Sequence, residues 1–239
     1  MKPYNQTDSK KSQIRTMFDR IAGHYDLLNS IMSLGIDRYW RRRTIKALRP
    51  AAPKQILDVA TGTGDLAVAL TRLSPDVHIT GVDLSPEMIA VGREKIARRG
   101  LQQRISLDVG DAEKLAFEDA AFDAATVAFG VRNFGDIPQC LHEMGRTLKK
   151  GGTIAVLEFS KPDNRLFGKL FRFYFHRIVP LIGGAISHDR AAYDYLPSSV
   201  DEFPSPERFM SILEQAGFEN CRAIKLTFGV AYIYTATKR

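Results

Sequence analysis

From residue 54 onward, short apolar runs alternate with amphipathic ones. The runs at 55–60, 77–84, 104–109, 122–128 and 153–158 predict buried strands. Between them, 65–73, 86–99 and 136–149 carry apolar residues at helical spacing, as with Leu66, Leu70 and Leu73. Turn and cap residues mark the boundaries. Gly62 and Gly64 precede the first helix, Ser85-Pro86 opens the second, and Gly151-Gly152 precedes the fifth strand. This alternation predicts an α/β fold: a mostly parallel sheet with right-handed crossovers, helices on both faces and ligands at the carboxyl ends of strands.

The two ends of the chain follow other patterns. Ile14, Met17, Phe18, Ile21, Ala22, Tyr25 and Leu28 predict one apolar helical stripe over 13–34. Gly35-Ile36-Asp37 reads as a stop and a new N-cap, followed by a basic helix over 38–48 that holds Trp40. Residues 160–200 interrupt the alternation. There Phe167, Leu170, Phe171, Tyr174, Phe175 and Ile178 recur at helical spacing within 166–181, with Lys169, Arg172 and His176 on another face. A helix over 206–216 follows Ser205-Pro206, and two extended runs, 220–228 and 230–237, pivot at Gly229 as a hairpin that closes the sheet with an antiparallel strand. The expected organisation is one domain over 1–239. It divides into a helical N-terminal lid (1–53), a cofactor-binding core (54–159), an inserted aromatic lid segment (160–204) and a C-terminal helix and hairpin (205–239).

Composition narrows the class. With 44% hydrophobic and 26% charged residues, the chain resembles an ordinary globular protein. Met1 to Gln13 is polar and has no signal-peptide core, and no apolar run approaches the ~20 residues of a spanning helix. Cys140 and Cys221 make no disulfide framework, which suits the cytoplasm. His24, His78, His142, His176 and His188 are dispersed, without metal-ligand spacing. The net charge of +7 lies in residues 1–50, which hold eleven Lys or Arg against four Asp; the remainder is balanced. A basic segment suits nucleic acid, an anionic membrane surface or plain solvation.

The candidate chemistry centres on Asp58-Val59-Ala60-Thr61-Gly62-Thr63-Gly64-Asp65, with Asp83 ending the next apolar run. A glycine turn lets backbone approach a ligand, and an acid at that distance accepts from ribose hydroxyls. Gly62, Gly64 and Ala67 also satisfy the G-x-G-x-x-A dinucleotide pattern, so NAD competes. Asp65 sits poorly beside a pyrophosphate at the helix start and suits the cationic, phosphate-free S-adenosyl-L-methionine (SAM).

Further segments complete the picture. These are 18–26 (Phe18-Asp19-Arg20-Ile21-Ala22-Gly23-His24-Tyr25-Asp26), Gly110-Asp111-Ala112-Glu113, Phe129-Gly130-Val131-Arg132-Asn133, Leu157-Glu158-Phe159-Ser160-Lys161-Pro162, Tyr195-Leu196-Pro197 and Phe203-Pro204. With the cofactor loop, they make the chain resemble the class I SAM-dependent methyltransferases and, more narrowly, the quinone-ring C-methyltransferases of menaquinone and ubiquinone biosynthesis. The resemblance covers nearly the whole chain and implies a Rossmann-like sheet. Departures are Ala60, where many relatives have the loop's first glycine, and Ala128, where some have serine.

The resemblance implies a role for each site residue. Gly62, Thr63 and Gly64 would contact the methionine part of SAM, and Asp83 the ribose. Asp111 would accept from the adenine amine, and the Ala112 N–H would donate to the ring. Asp58 is expected to orient the loop or meet the methionine ammonium. The implied reaction is methyl transfer to a ring carbon of a polyprenyl quinol, demethylmenaquinol to menaquinol. The alternatives are the ubiquinone benzoquinol precursor, another small lipid or an RNA base. A quinol is required because its phenolate makes the carbon nucleophilic. Arg132, always charged, is the catalytic candidate as a phenolate stabiliser, with His24 and Tyr25 next. The aromatic stripe suits a pocket roof for the tail, a peripheral contact with the inner membrane surface or a homodimer contact. No nucleic-acid partner is expected, since no recognisable RNA-binding module is present. A non-enzymatic binding module would leave the loop and both strand-end acids unused.

Overall fold

The computed structural model describes residues 2–5, 7–162, 165–181 and 189–239, without the side chains of 165–167 and 190. Phe167, as a side chain of the aromatic stripe, and His188 therefore lie outside the described residues, as does 182–188 of the inserted segment. Seven strands form one sheet in the order β3-β2-β1-β4-β5-β7-β6. They are β1 (Gln55–Val59), β2 (His78–Asp83), β3 (Ile105–Val109), β4 (Phe122–Ala128), β5 (Leu148–Phe159), β6 (Phe218–Leu226) and β7 (Ala231–Lys238). Strands β1 to β5 pair in parallel, and β7 runs antiparallel between β5 and β6.

The two-residue period of the central strands divides the core between two faces. On one face, Leu57, Val59, Ala125, Val127, Ile154 and Val156 pack with Leu141 and Met144 of α6 (Ile137–Thr147) and with Phe209 and Leu213 of α9 (Pro206–Gln215). On the other, Ile56, Ala124 and Ala155 meet Ile45 and Leu48 of α3 (Ile36–Leu48). Leu66 and Leu70 of α4 (Asp65–Leu70) and Ile89 and Ile96 of α5 (Pro86–Arg98) complete that layer. Capping fixes where these helices begin. Ser85 Oγ accepts from the Met88 N–H with Pro86 at the first helical position, and Asp136 accepts from the Gln139 N–H.

Several expected boundaries move. The 13–34 stripe is two helices, α1 (Lys10–Ile21) and α2 (Tyr25–Met32), joined by a tight turn at Ala22–His24, where Gly23 weakens helical propensity. Asp37 is not a cap. Gly35 holds that position at φ +73°, and Asp37 lies inside the first turn of α3, buried, accepting from Ser33 Oγ at 2.8 Å and paired with Arg41. Helix 65–73 stops at Leu70. Strand β5 starts at Leu148 rather than 153, taking up Gly151-Gly152 as an irregularity opposite β4. The aromatic segment is α7 (Arg165–Phe173) continued by a wider turn over Tyr174–Ile178. No sequence pattern marks the next helix, α8 (Arg190–Glu202), which carries Pro197 inside it.

Candidate active site

The carboxyl ends of β1 to β4 meet under α1, and the loop after β1 is built from its acids upward. Asp58 is buried and accepts from Thr61 Oγ1 (2.6 Å) and Thr126 Oγ1 (2.5 Å). Burial pushes its carboxyl up to about 6 against those two bonds. This geometry supports the loop-orienting role and keeps Asp58 out of the cleft. Ala60, at φ +52°, takes the left-handed conformation that glycine adopts without strain, the physical reason a glycine suits that position. A Cβ at Gly130 would stand 2.6 Å from the Ala60 methyl, so the loops after β1 and β4 touch only because Gly130 has none. Asp83 ties the next two loops together. Its Oδ2 accepts from the Gly62 N–H (2.8 Å) and its Oδ1 from the Ser85 N–H (2.9 Å).

Gly62, Asp83, Asp111 and Ala112 all line one cleft, together with Gly110, Met88 and Phe134. Thr63 and Gly64 do not. The Thr63 side chain is buried, donating to Asp26 Oδ1 (2.5 Å) and accepting from Lys95 Nζ (3.0 Å), so the expected hydroxyl contact to a ligand is not built. Gly64, at φ +78°, makes the turn into α4 and faces Leu107 and Ile96. The cleft contains a residue that sequence reasoning missed, Lys11. Its ammonium pairs with Asp111 (2.8 Å) and with Glu113, bringing α1 across the cleft. Lys10 donates to the carbonyls of Arg132 (3.2 Å) and Phe134 (2.8 Å), and Asp19 accepts from Ser85 Oγ (2.6 Å). Only the fold brings these residues together, because the contacts join the first turns of the chain to loops far along it.

A second cavity of about 620 Å³ lies beside the cleft, between α1 to α3 and the α7–α8 segment. Its lining is mostly apolar, with Trp40, Phe159, Phe171 and Phe175. Among the described residues, Phe18, Tyr25, Phe129 and Asn133 line both cavities and form the wall between them. Phe129 is held at φ +57°, an uncommon conformation for an aromatic residue, by its N–H to Leu157 O (2.7 Å) and by its ring against Phe159 (4.5 Å between centroids).

Arg132 lies in the short turn Val131–Asn133 after β4 and lines the large cavity, not the cleft. Its Nη1 donates to Glu158 Oε1 (2.8 Å) and to the Phe129 carbonyl, and the guanidinium lies 5.4 Å from the Phe159 ring centre. Glu158, fully buried at the end of β5, also accepts from the Arg132 N–H (3.2 Å). Arg132 Nε has no partner among the described residues. His24 is exposed and lines neither cavity, whereas Tyr25 lines both. Arg41, in the basic 38–48 segment read as suiting nucleic acid, a membrane surface or solvation, is largely buried at the large cavity, paired with Asp37 and with Asp65 (3.0 Å).

The family model described as the ubiE/COQ5 methyltransferase family matches residues 6–238. A demethylmenaquinone methyltransferase of Bacteroides fragilis is 45% identical over 100% of this chain and 97% of its own length. A ubiquinone/menaquinone biosynthesis C-methyltransferase UbiE of Geobacter sulfurreducens is 46% identical over 96% of this chain and 90% of its own. Among solved structures, a SAM-dependent methyltransferase from Thermotoga maritima, titled as a possible histamine N-methyltransferase, aligns with a TM-score of 0.68. At 19% identity over 94% of this chain and 99% of that one, it is a likeness of fold. The fold, the acid-lined cleft and the full-length match agree, and they set the dinucleotide and binding-module readings aside: the chain belongs to the ubiE/COQ5 methyltransferase family.

Proposed function

We propose that this protein methylates a ring carbon of a reduced polyprenyl quinone precursor, demethylmenaquinol, using S-adenosyl-L-methionine. The observation that carries the reading is the large apolar cavity sharing a wall with an acid-lined cleft at the strand ends. The cleft's donors and acceptors suit a nucleoside: two carboxylates at the ends of β2 and β3, and backbone N–H groups from the Gly62 and Ala112 loops. Asp83 would accept from the ribose hydroxyls, Asp111 from the adenine amine once Lys11 yields it, and Ala112 N–H would donate to the ring. Gly62 would bring backbone to the methionine part, while Thr63 and Gly64 shape the turn. When bound, the cofactor supplies an electrophilic methyl group.

The chain's own residues account for the other half of the chemistry. An apolar cavity excludes water and takes the greasy tail. Arg132, its guanidinium turned to that cavity, would stabilise the phenolate whose electron density makes the adjacent carbon nucleophilic. Arginine keeps its proton, and burial pushes the Tyr25 hydroxyl above its ordinary range so that it too stays protonated, which leaves a bound water to take the hydroxyl proton. Demethylmenaquinol, its oxidised quinone and the benzoquinol precursor, each incubated anaerobically with labelled SAM, test this. Methylation is expected for the reduced naphthoquinol and not for the quinone. Equal turnover of the quinone overturns the mechanism, and preference for the benzoquinol moves the assignment to the ubiquinone precursor.

The mouth of the cavity supports a peripheral membrane contact. Leu34, Leu170 and Phe228 line the cavity and are 76%, 66% and 69% exposed, with Phe173 and Leu181 nearby along the chain and also exposed. Lys169 and Arg172 are exposed on α7 with Leu170 and Phe173, and Arg38 and Arg42 are exposed on α3, which follows Leu34 in the chain. Apolar side chains beside basic ones suit an anionic lipid surface, from which a polyprenyl chain would enter directly. No helix among the described residues is long and apolar enough to cross a membrane. The protein is expected to co-sediment with anionic vesicles at low salt, more weakly at physiological ionic strength, where the Debye length is about 8 Å. Leu170→Ser with Phe173→Ser should abolish this binding. Unchanged sedimentation overturns the contact, and a stable dimer that binds no vesicles would make the same rim a homodimer surface.

A further inference from the structure

Asn133 stands in the wall common to the cleft and the large cavity, 8% exposed, with its carboxamide oxygen buried and without a partner among the described residues. A buried carbonyl oxygen normally has a donor, and an orphan at a binding site marks a place where a ligand supplies one. No donor among the described residues reaches it. Lys10 donates to the Arg132 and Phe134 carbonyls, and the Tyr25 hydroxyl oxygen accepts from Asn29. Phe18 and Phe129, the other members of the wall, have no side-chain donor.

We propose that Asn133 Oδ1 accepts a hydrogen bond from a ring hydroxyl of the substrate and thereby selects the quinol over the quinone. The proposal rests on the quinol reading above. A quinol presents O–H groups at its ring edge. The oxidised ring presents carbonyl oxygens alone, and facing Oδ1 they would set lone pairs against lone pairs. A site built around a substrate hydroxyl discriminates against the form that lacks it, because its own buried polar atom then stays unpaired. Selection by Asn133 would spare the enzyme unproductive complexes with a ring that cannot form a phenolate. It divides the work of two adjacent residues: Asn133 reads the un-ionised hydroxyl, and Arg132 answers the charge that develops after the proton leaves.

Trp40 is the only tryptophan of the chain and lines the same cavity, so its fluorescence reports binding without turnover. Short-tailed demethylmenaquinol and its oxidised form are titrated anaerobically into wild type, Asn133→Ala and Asn133→Asp, with SAM affinity as the check on the fold. Wild type should bind the quinol more tightly. Asn133→Ala should lose about three- to tenfold in quinol affinity, the value of one neutral hydrogen bond, with the quinone unchanged. Asn133→Asp, an acceptor that cannot turn over to present an N–H, should keep the preference. An unchanged quinol-to-quinone ratio in Asn133→Ala overturns the proposal, as does loss of the preference in a folded Asn133→Asp. If the aspartate variant does not fold, the alanine ratio decides alone. No Trp40 response to either form in wild type would overturn the quinol reading itself, and this inference with it.

Discussion

Arg132→Ala is expected to lose stability and turnover together, and Arg132→Ala with Glu158→Gln to recover the stability but not the turnover. Glu158 is fully buried, and among the described residues its charge partner is the Arg132 guanidinium at 2.8 Å. Removing one member of a buried pair strands the other, at a cost of about 3–5 kcal/mol. Glutamine carries no charge to strand, and its oxygen can still accept from the Phe159 N–H, as Glu158 does at 2.9 Å. The catalytic loss should persist in the double variant. Losing a preorganised positive group beside a developing phenolate should lower kcat by on the order of 10²–10³. Arg132→Lys should fall between. An ammonium can meet Glu158 and the Phe129 carbonyl from its one nitrogen, but it lacks the separate, unpartnered Nε–H and the planar spread of the guanidinium. Urea unfolding, kcat on the reduced substrate and SAM affinity separate these effects. Near-normal turnover in a folded double variant makes Arg132 structural and moves attention to Tyr25. An equal loss of SAM affinity would assign the 131–133 turn to the cofactor site.

What was legible in the sequence was local. Asp83 and Asp111 were found because a strand's period ends at a definite residue and the parallel sheet gathers those ends on one side. The fold class followed from the same alternation, and the 45% identical relative agrees with the family that the Phe129-Gly130-Val131-Arg132-Asn133 and Leu157-Glu158-Phe159-Ser160 segments suggested. What escaped depends on contacts between distant segments. Lys11 sits in a polar N-terminal stretch with nothing to mark it, and only the packing of α1 on α5 carries it to Asp111. Arg41 belonged to a run of arginines that reads as suiting nucleic acid, a membrane surface or solvation, yet a helix turns each member differently, and Arg41 faces inward to Asp37 and Asp65. Thr63 shared the loop with Gly62 but points to Asp26, a residue of α2 that no pattern in the loop announces. Glu158 and Asn133 were both inside recognised segments. Their roles needed one fact that no spacing contains, namely which buried polar atoms have partners.

Asp83→Ala is expected to weaken SAM binding by at least about 1.5–3 kcal/mol, the range for hydrogen bonds to a charged group, or about 10- to 150-fold. The structure gives a reason for the larger end. Each carboxylate oxygen of Asp83 already accepts one backbone N–H, from Gly62 and from Ser85, and has lone-pair capacity left for a ribose hydroxyl. Alanine therefore removes the ligand contacts and also releases the Gly62 loop from the start of α5. Asp83→Asn keeps one acceptor and should lose less. The same geometry predicts a pH dependence. Burial raises the Asp83 carboxyl above the ordinary carboxylate range, with the Ser85 and Gly62 N–H groups opposing the shift. The ionised form is the one that accepts from both hydroxyls, so proton and cofactor compete. Affinity should be full where Asp83 is ionised and should fall as pH drops through its raised pKa, before ordinary surface carboxylates titrate. Asp83→Asn should not show that fall. Calorimetric titrations of wild type and both variants at pH 7.5 and pH 5.5 decide the matter. Wild-type affinity in a folded Asp83→Ala would remove the ribose assignment. An equal pH response in Asp83→Asn would transfer the titration to another group, with the buried Asp58 the first to examine by Asp58→Asn.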